Sequence, residues 1–233
     1  MLNALFNLGK NKIKPSENSE SLTSLYDRVL ALKACKRENH ALDSGCFVVF
    51  DTETTGLMAH RGDEIISLGG VAIIDNQLTD RKFCKLVNPY RNIPELITLL
   101  TGITETMTGS AEDLVSVLTQ FLEFVGSSTL VAHNAQFDLC FINLKLRKYF
   151  GQSLSIPILD TYLIAQLLHP HRKSYCLDDL AKFYQIPLVA RHTSLGDSII
   201  AGKLFIKMVE ELKSRGIKNS AELFSYLKFQ RLI

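Results

Sequence analysis

The stretch "CFVVFDTETTGL", Cys46 to Leu57, runs four apolar residues, Phe47 to Phe50, straight into Asp51, with Glu53 two positions later. A short apolar run with polar flanks reads as a buried strand. Alternate side chains of a strand share a face, so Asp51 and Glu53 point together while Thr52 points away. Two carboxylates that close repel, and one is driven to keep its proton unless a cation lies between them. Hard oxygen ligands of this kind suit Mg²⁺ or Mn²⁺. A solvated strand end would also tolerate an acidic pair, and Asp-x-Glu alone does not separate the two readings.

Working outward, "EIISLGGVAIID" (64–75) and "DRKFCKLVNP" (80–89) read as an antiparallel pair turning near Asp75-Asn76. A helix is expected over 111–126, a strand over 128–133, and helices over 135–149, 161–168, 177–184 and 194–214, with a last basic helix near 220–231. The fold class is therefore α/β: a mixed sheet of three antiparallel strands plus crossovers, flanked by helices. Residues 1–44 form an N-terminal extension. Its "KNKIKPSENSES" is a polar linker, and its "SLTSLYDRVLALKACKR" is an amphipathic helix with Leu22, Leu25, Tyr26, Val29 and Leu30 at helical spacing, expected to pack on the main domain. The main domain spans 45–214, and 215–233 is the basic C-terminal segment.

Composition is that of a soluble globular protein, 46% hydrophobic and 21% charged, with no apolar run long enough to span a bilayer. The lysines of "MLNALFNLGKNKIK" follow its apolar piece rather than precede it, which argues against a secretory signal. Five cysteines, odd in number and widely spaced, read as buried reduced thiols of a cytoplasmic protein. Net charge is +2, unevenly spread: residues 1–44 carry seven Lys/Arg against five Asp/Glu, residues 203–233 seven against three, and the middle is −4. An acidic middle between basic flanks suits a nucleic-acid binder only if some of that acid holds cations.

Two further stretches repeat the opening grammar. In "LVAHNAQFDLCFI" an apolar strand reaches a corner at His133-Asn134, and a helix then carries Asp138 in its first turn. Asn134 is a good helix N-cap and an acid there is favourable, so a purely structural reading fits too. In "RHTSLGDSIIAGKLF" His192 precedes Asp197 by five residues, and Ser194 to Asp197 also reads as a capping box. Asp160 reads as the cap of the helix beginning at Thr161, Asp178 and Asp179 as a solvated helix face, and His133 as a satisfied neighbour of the site. His169 and His171 have little support as metal ligands.

Together and in this order, these stretches resemble the DnaQ-like (DEDDh) 3′–5′ exonucleases, the family of the proofreading epsilon subunit of bacterial DNA polymerase III. "FDTETTGL", "AHNAQFD" and "HTSLGD" match the three motifs, "LLTGIT" (99–104) the family's Gly-Ile-Thr loop, and "LDTYLIAQLLHP" its Leu-Asp-Thr helix start. The resemblance covers Cys46 to Phe205 and implies a ribonuclease H-like sheet. Ser67, Thr193 and Ser194 depart from the family's usual residues.

The resemblance implies that Asp51, Glu53, Asp138 and Asp197 hold two divalent ions, Mg²⁺ or Mn²⁺, with Asp51 bridging them and His192 as general base. It also implies that Thr52 and Thr54 present backbone N–H groups to the terminal nucleotide, that Leu57 packs on its base, and that Asn134 contacts the sugar-phosphate; plain core packing is the other reading of Leu57. The partner is a single-stranded or frayed 3′ end, DNA ahead of RNA, with no membrane. The implied activity is release of nucleoside 5′-monophosphates in proofreading or repair. RNA 3′ trimming and a non-catalytic polymerase-binding module are the alternatives. No polymerase domain fits in the remaining length, so proofreading is expected in trans, beside a DNA polymerase or sliding clamp, which the tail "FQRLI" (229–233) loosely suggests.

Overall fold

The computed structural model describes residues 19–34, 41–154 and 156–229. Most of the polar linker, Cys35 and the last four residues of the tail lie outside them.

The opening stretch forms β1 (Cys46–Thr54), the centre of a five-stranded sheet. β2 (Ile65–Ile74) and β3 (Gln77–Leu86) join it as an antiparallel meander. Their two-residue turn has Asp75 and Asn76 both at positive φ, 51° and 57°. That is the twist a tight hairpin needs, and these residue types tolerate it. β4 (Thr129–Ala132) lies parallel to β1 on its other side, and β5 (Ile158–Asp160) parallel to β4, giving the order β3-β2-β1-β4-β5. The mixed sheet is as expected. β5 was not assigned from sequence, being only three residues long.

Helices cover both faces. On one lie α1 (Ser19–Ala34), α4 (Leu114–Val125) and α5 (Ala135–Phe150), packed on Val48 and Phe50. On the other lie α6 (Thr161–Leu168), α7 (Leu177–Phe183), α8 (Ser194–Ser214) and α9 (Ser220–Phe229), packed on Phe47 and Val49. The all-apolar run of β1 is thus explained by burial on both sides. α1 buries Leu22, Leu25, Val29 and Leu32 in the first cluster, and Tyr26 meets the Phe150 ring at 5.3 Å between centroids. Leu30, expected on the buried face, is exposed, and Leu32 takes its place. The flanks also meet each other, the Leu42 N–H donating to Lys218 O at 2.9 Å beside an Ala41–Asn219 bridge.

The expected Gly-Ile-Thr loop is present as Gly102 to Thr104, which joins two short helices, α2 (Glu95–Thr101) and α3 (Glu105–Gly109). Gly102, at φ 72°, ends the first, and Thr104 caps the second by accepting from the Met107 N–H. The buried-thiol expectation fails among the described residues: Cys46, Cys84 and Cys176 are exposed and Cys140 partly so, all as free thiols. Cys84 lies on edge strand β3, most of whose side chains are not buried. Among the described residues no helix is long and apolar enough to cross a membrane.

Candidate active site

Strand alternation divides the site between the two faces. Phe47 and Val49 face α8, so Asp51 and Glu53, in phase with them, do too. A register shift after Glu53 marks a bulge, a device that re-aims side chains at functional strand ends. Thr52 turns to the α5 face, where its N–H and Oγ1 donate to Asp138 Oδ1 at 2.9 and 2.6 Å.

Asp197 reaches the cluster because α8 begins almost on top of β2. The cross-strand partner of Asp51 is Gly69, and a Cβ there would lie 2.3 Å from the Ser194 backbone. Only a glycine lets the helix start occupy that space. Ser67, two residues earlier, shares a buried 2.6 Å hydrogen bond with Ser194. Two of the sequence departures from the family pattern are therefore partners of each other. The expected capping box between Ser194 and Asp197 is not formed: Thr193 is the N-cap, its Oγ1 accepting from the Gly196 N–H at 3.1 Å, and the Asp197 carboxylate instead meets Arg191 and the backbone N–H of His192.

One carboxylate oxygen each from Asp51, Glu53 and Asp197 lie within 4.8 Å of one another. Removal from water, and then the charges of Asp138, Glu53 and Asp197, hold the Asp51 carboxyl well above the usual carboxylate range. Burial first, and Asp197 next, push Glu53 up to about 7. Burial takes Asp138 up to about 7 against its bonds from Thr52, and raises Asp197 against the pull of Arg191. Asp197 Oδ1 is buried with no hydrogen-bond partner. A cluster of mutually raised acids with an orphaned oxygen fits a hard divalent cation: its donors are all oxygen, and Arg191 offsets only part of its charge. Asp138 stands beside this group rather than in it, approaching from the other face.

Beside the acids opens a cleft of about 510 Å³, lined among others by Asp51, Asp197, Tyr162, Lys173, Tyr175 and Arg191. His133 and Asn134 also line it, and the His133 Nδ1 shares a 2.9 Å hydrogen bond with Thr161 Oγ1, which lies 3.2 Å from the Ala132 carbonyl. Burial, helped by Arg191, takes His133 down to about 4, so its ring is neutral. The ring centroids of His133, Tyr162 and Tyr175 follow one another at 6.0 and 5.8 Å.

Other expected residues fall as follows. Thr54 is buried, its Oγ1 donating to Gly56 O at 2.7 Å, and the Thr52 N–H is already committed to Asp138. Leu57 is 79% exposed, which excludes the core-packing reading. Asn134 is exposed and takes a left-handed conformation, φ 60°, with no side-chain capping bond. Asp160 does that work, accepting from the N–H groups of Asn134 and Ala135 at 2.8 and 2.9 Å while also capping α6 through Tyr162. His192, at φ 61°, sits partly buried next to Asp197 in the chain's entry to α8. His169 is bonded to Tyr184 at 2.8 Å. Asp178, expected on a solvated face, instead accepts from the Arg191 Nε at 2.5 Å. Arg191, Tyr162, Lys173 and Tyr175 form no motif of their own in the sequence. Adjacency to a motif was the available signal for Arg191 and Tyr162.

An exonuclease family, RNase_T, matches residues 48–205. The chain is 42% identical over 190 residues to a DNA polymerase III PolC-type of Caldanaerobacter subterraneus, covering 82% of this chain and 13% of that protein. It is 40% identical over 179 residues to a DNA polymerase III subunit epsilon-like protein of Rhodobacter capsulatus, covering 76% of this chain and 25% of that one. It thus spans a quarter or less of these relatives. Among solved structures, Exonuclease X in complex with 5′ overhanging duplex DNA aligns at TM-score 0.57 and 25% identity, over 71% of this chain and 92% of that one. The nuclease domain of 3′hExo, a DEDDh family member bound to rAMP, aligns at TM-score 0.64 and 16% identity, over 72% and 93%, a likeness of fold. From its motifs, its sheet and these relatives, the chain belongs to the DnaQ-like exonuclease family.

Proposed function

We propose that this protein is a metal-dependent 3′–5′ exonuclease that releases nucleoside 5′-monophosphates from DNA ends in proofreading or repair. The observation that carries this reading is the cluster of Asp51, Glu53 and Asp197 with its orphaned buried oxygen, on an exonuclease-family chain similar to DNA polymerase III PolC-type and epsilon-like proteins. Asp51, Glu53 and Asp197, with Asp138 beside them, would hold two divalent ions, Mg²⁺ or Mn²⁺. When bound, such ions supply the charge that lowers the pKa of an attacking water and neutralises a leaving 3′ oxygen.

The remaining work falls to the chain. His192 takes the proton of the attacking water, an exchange suited to an imidazole near neutral pH. Exposed Leu57 packs on the terminal base, Asn134 contacts the sugar-phosphate, and Tyr162 and Tyr175 offer stacking surfaces with Lys173 nearby for phosphate. Thr54 stays a candidate for the terminal nucleotide through its backbone, whereas Thr52 serves by fixing Asp138.

The test is degradation of single-stranded DNA, mismatched duplex and RNA by purified protein with Mg²⁺. We expect mononucleotides from 3′ ends of DNA, a block by 3′ phosphate, and silence in excess chelator. Cutting within a circular single strand, or a clear preference for RNA, would overturn the assignment.

A further inference from the structure

One cation already stands in the site. Arg191 lies on the segment entering α8, between two non-glycine residues at positive φ, Ala190 at 53° and His192 at 61°. Such backbone persists where its surroundings hold it. Here Thr193 Oγ1 donates to the Ala190 carbonyl at 2.7 Å, and Gly196 passes so close that a Cβ would lie 2.0 Å from that oxygen. The segment thereby returns the Arg191 side chain to the acids. Its Nε donates to Asp178 Oδ1 at 2.5 Å, and its Nη1 to Asp197 Oδ2. Nη1 also stands 3.3 Å from His192 Nδ1. A guanidinium has no acceptor, so Nδ1 must accept there, which places the proton of a neutral ring on Nε2.

One side chain thus occupies an oxygen of a proposed metal ligand and the lone pair of the proposed base. We propose that Arg191 is a latch that holds the metal-free site in a partly neutralised resting state, and that a divalent cation displaces it. This rests on the divalent-metal reading given above. Arginine suits the post, being permanently charged and forked to span two carboxylates. The other oxygen of Asp197, Oδ1, is free and buried, so a cation can engage it before Oδ2 is surrendered. Asp178 is 40% exposed and outside the acid cluster. It retains Nε as a pivot while Nη1 swings away, which frees Asp197 Oδ2 and His192 Nδ1 in one movement. Until then the guanidinium offsets the repulsion that Asp51 and Glu53 impose on each other and on Asp197.

The test is calorimetric Mn²⁺ titration of the metal-stripped full chain, wild type beside Arg191→Gln and Arg191→Lys, with melting in chelator as a second readout. Breaking a charge-assisted hydrogen bond weakens wild-type binding, so both variants should bind Mn²⁺ on the order of 10-fold more tightly. Arg191→Gln should melt lower than wild type in chelator and level with it in saturating Mn²⁺. Lysine keeps the charge but cannot span Asp178 and Asp197. If Arg191→Lys binds like wild type while Arg191→Gln binds more tightly, only distant charge is at work and the latch is wrong. Weaker binding by both variants would make Arg191 a loop anchor and overturn it as well. Absence of Mn²⁺ binding by wild type itself would instead remove the metal reading.

Discussion

Asp160 and Asp51 sit near the ends of two strands of one sheet, both pointing the same way along it, and the chain treats them in opposite fashion. Asp160 is buried and receives backbone N–H groups from Asn134, Ala135 and Tyr162. Those bonds oppose the rise that burial imposes on its pKa. One carboxylate thereby closes the starts of two helices, α5 and α6. Around Asp51 the opposing influence is the Arg191 charge, and its other neighbours are acids that push the same way as burial. A buried acid whose lone pairs are filled is architecture. One whose neighbours are mostly like charge keeps lone pairs suited to a cation.

The comparison can be broken by removing each side chain in turn. Asp51→Asn should lower turnover by several orders of magnitude, to background in a 3′-end release assay, with the fold retained by circular dichroism. Substantial activity in that variant would reduce Asp51 to the rank of Asp160. His192→Asn comes next: asparagine tolerates the positive φ at this position, so the backbone stays while the base is lost. We expect kcat to fall by roughly 10²–10⁴-fold with Mn²⁺ affinity about unchanged. Loss of metal affinity would place His192 among the ligands or the supports of Asp197.

Leu57→Ala should raise KM by roughly 10-fold through lost contact with a base. Because the side chain is exposed, Tm should not change. A drop in Tm with unaltered KM would mean that Leu57 packs against the protein. Asp160→Ala should act in the reverse sense. Leaving three N–H groups without an acceptor costs about 3 kcal/mol, or roughly 10 °C in Tm. Mn²⁺ affinity, by calorimetry, should move little once the variant is folded. Weakened metal binding without loss of stability would erase the contrast between the two acids.

How much of this was legible beforehand follows the same physics. β1 and the hairpin were readable because unbroken apolar runs and an Asp-Asn turn are local signals. The four acids and His192 were readable as motifs. α2 and α3 were not: they span seven and five residues, and α2 leaves Leu96 and Leu99 exposed, so no amphipathic period marks it. Asn134 looked like a cap because its residue type favours one, yet Asp160, 26 residues away, supplies the bonds. Arg191 was invisible for the same reason. Its two acids lie 13 residues before it and six after, and only the fold makes them neighbours. The Ser67–Ser194 bond, between residues that seemed merely unusual, spans 127 residues.

The central claim is that the acid cluster is completed by cations, and melting across pH tests it most directly. Glu53 and Asp138 titrate near 7 in the folded chain and Asp51 also well above its ordinary value, so between about pH 4 and pH 7 the folded state holds more protons than the unfolded. Stability is then fully present below the ordinary carboxylate pKa and is lost as pH rises through about 7. In chelator, the wild-type Tm should fall over that window and recover on adding Mg²⁺. Asp51→Asn should melt above wild type at about pH 8 in chelator and gain little from Mg²⁺. A lower Tm for Asp51→Asn in chelator, or a wild-type Tm indifferent to Mg²⁺, would contradict the account.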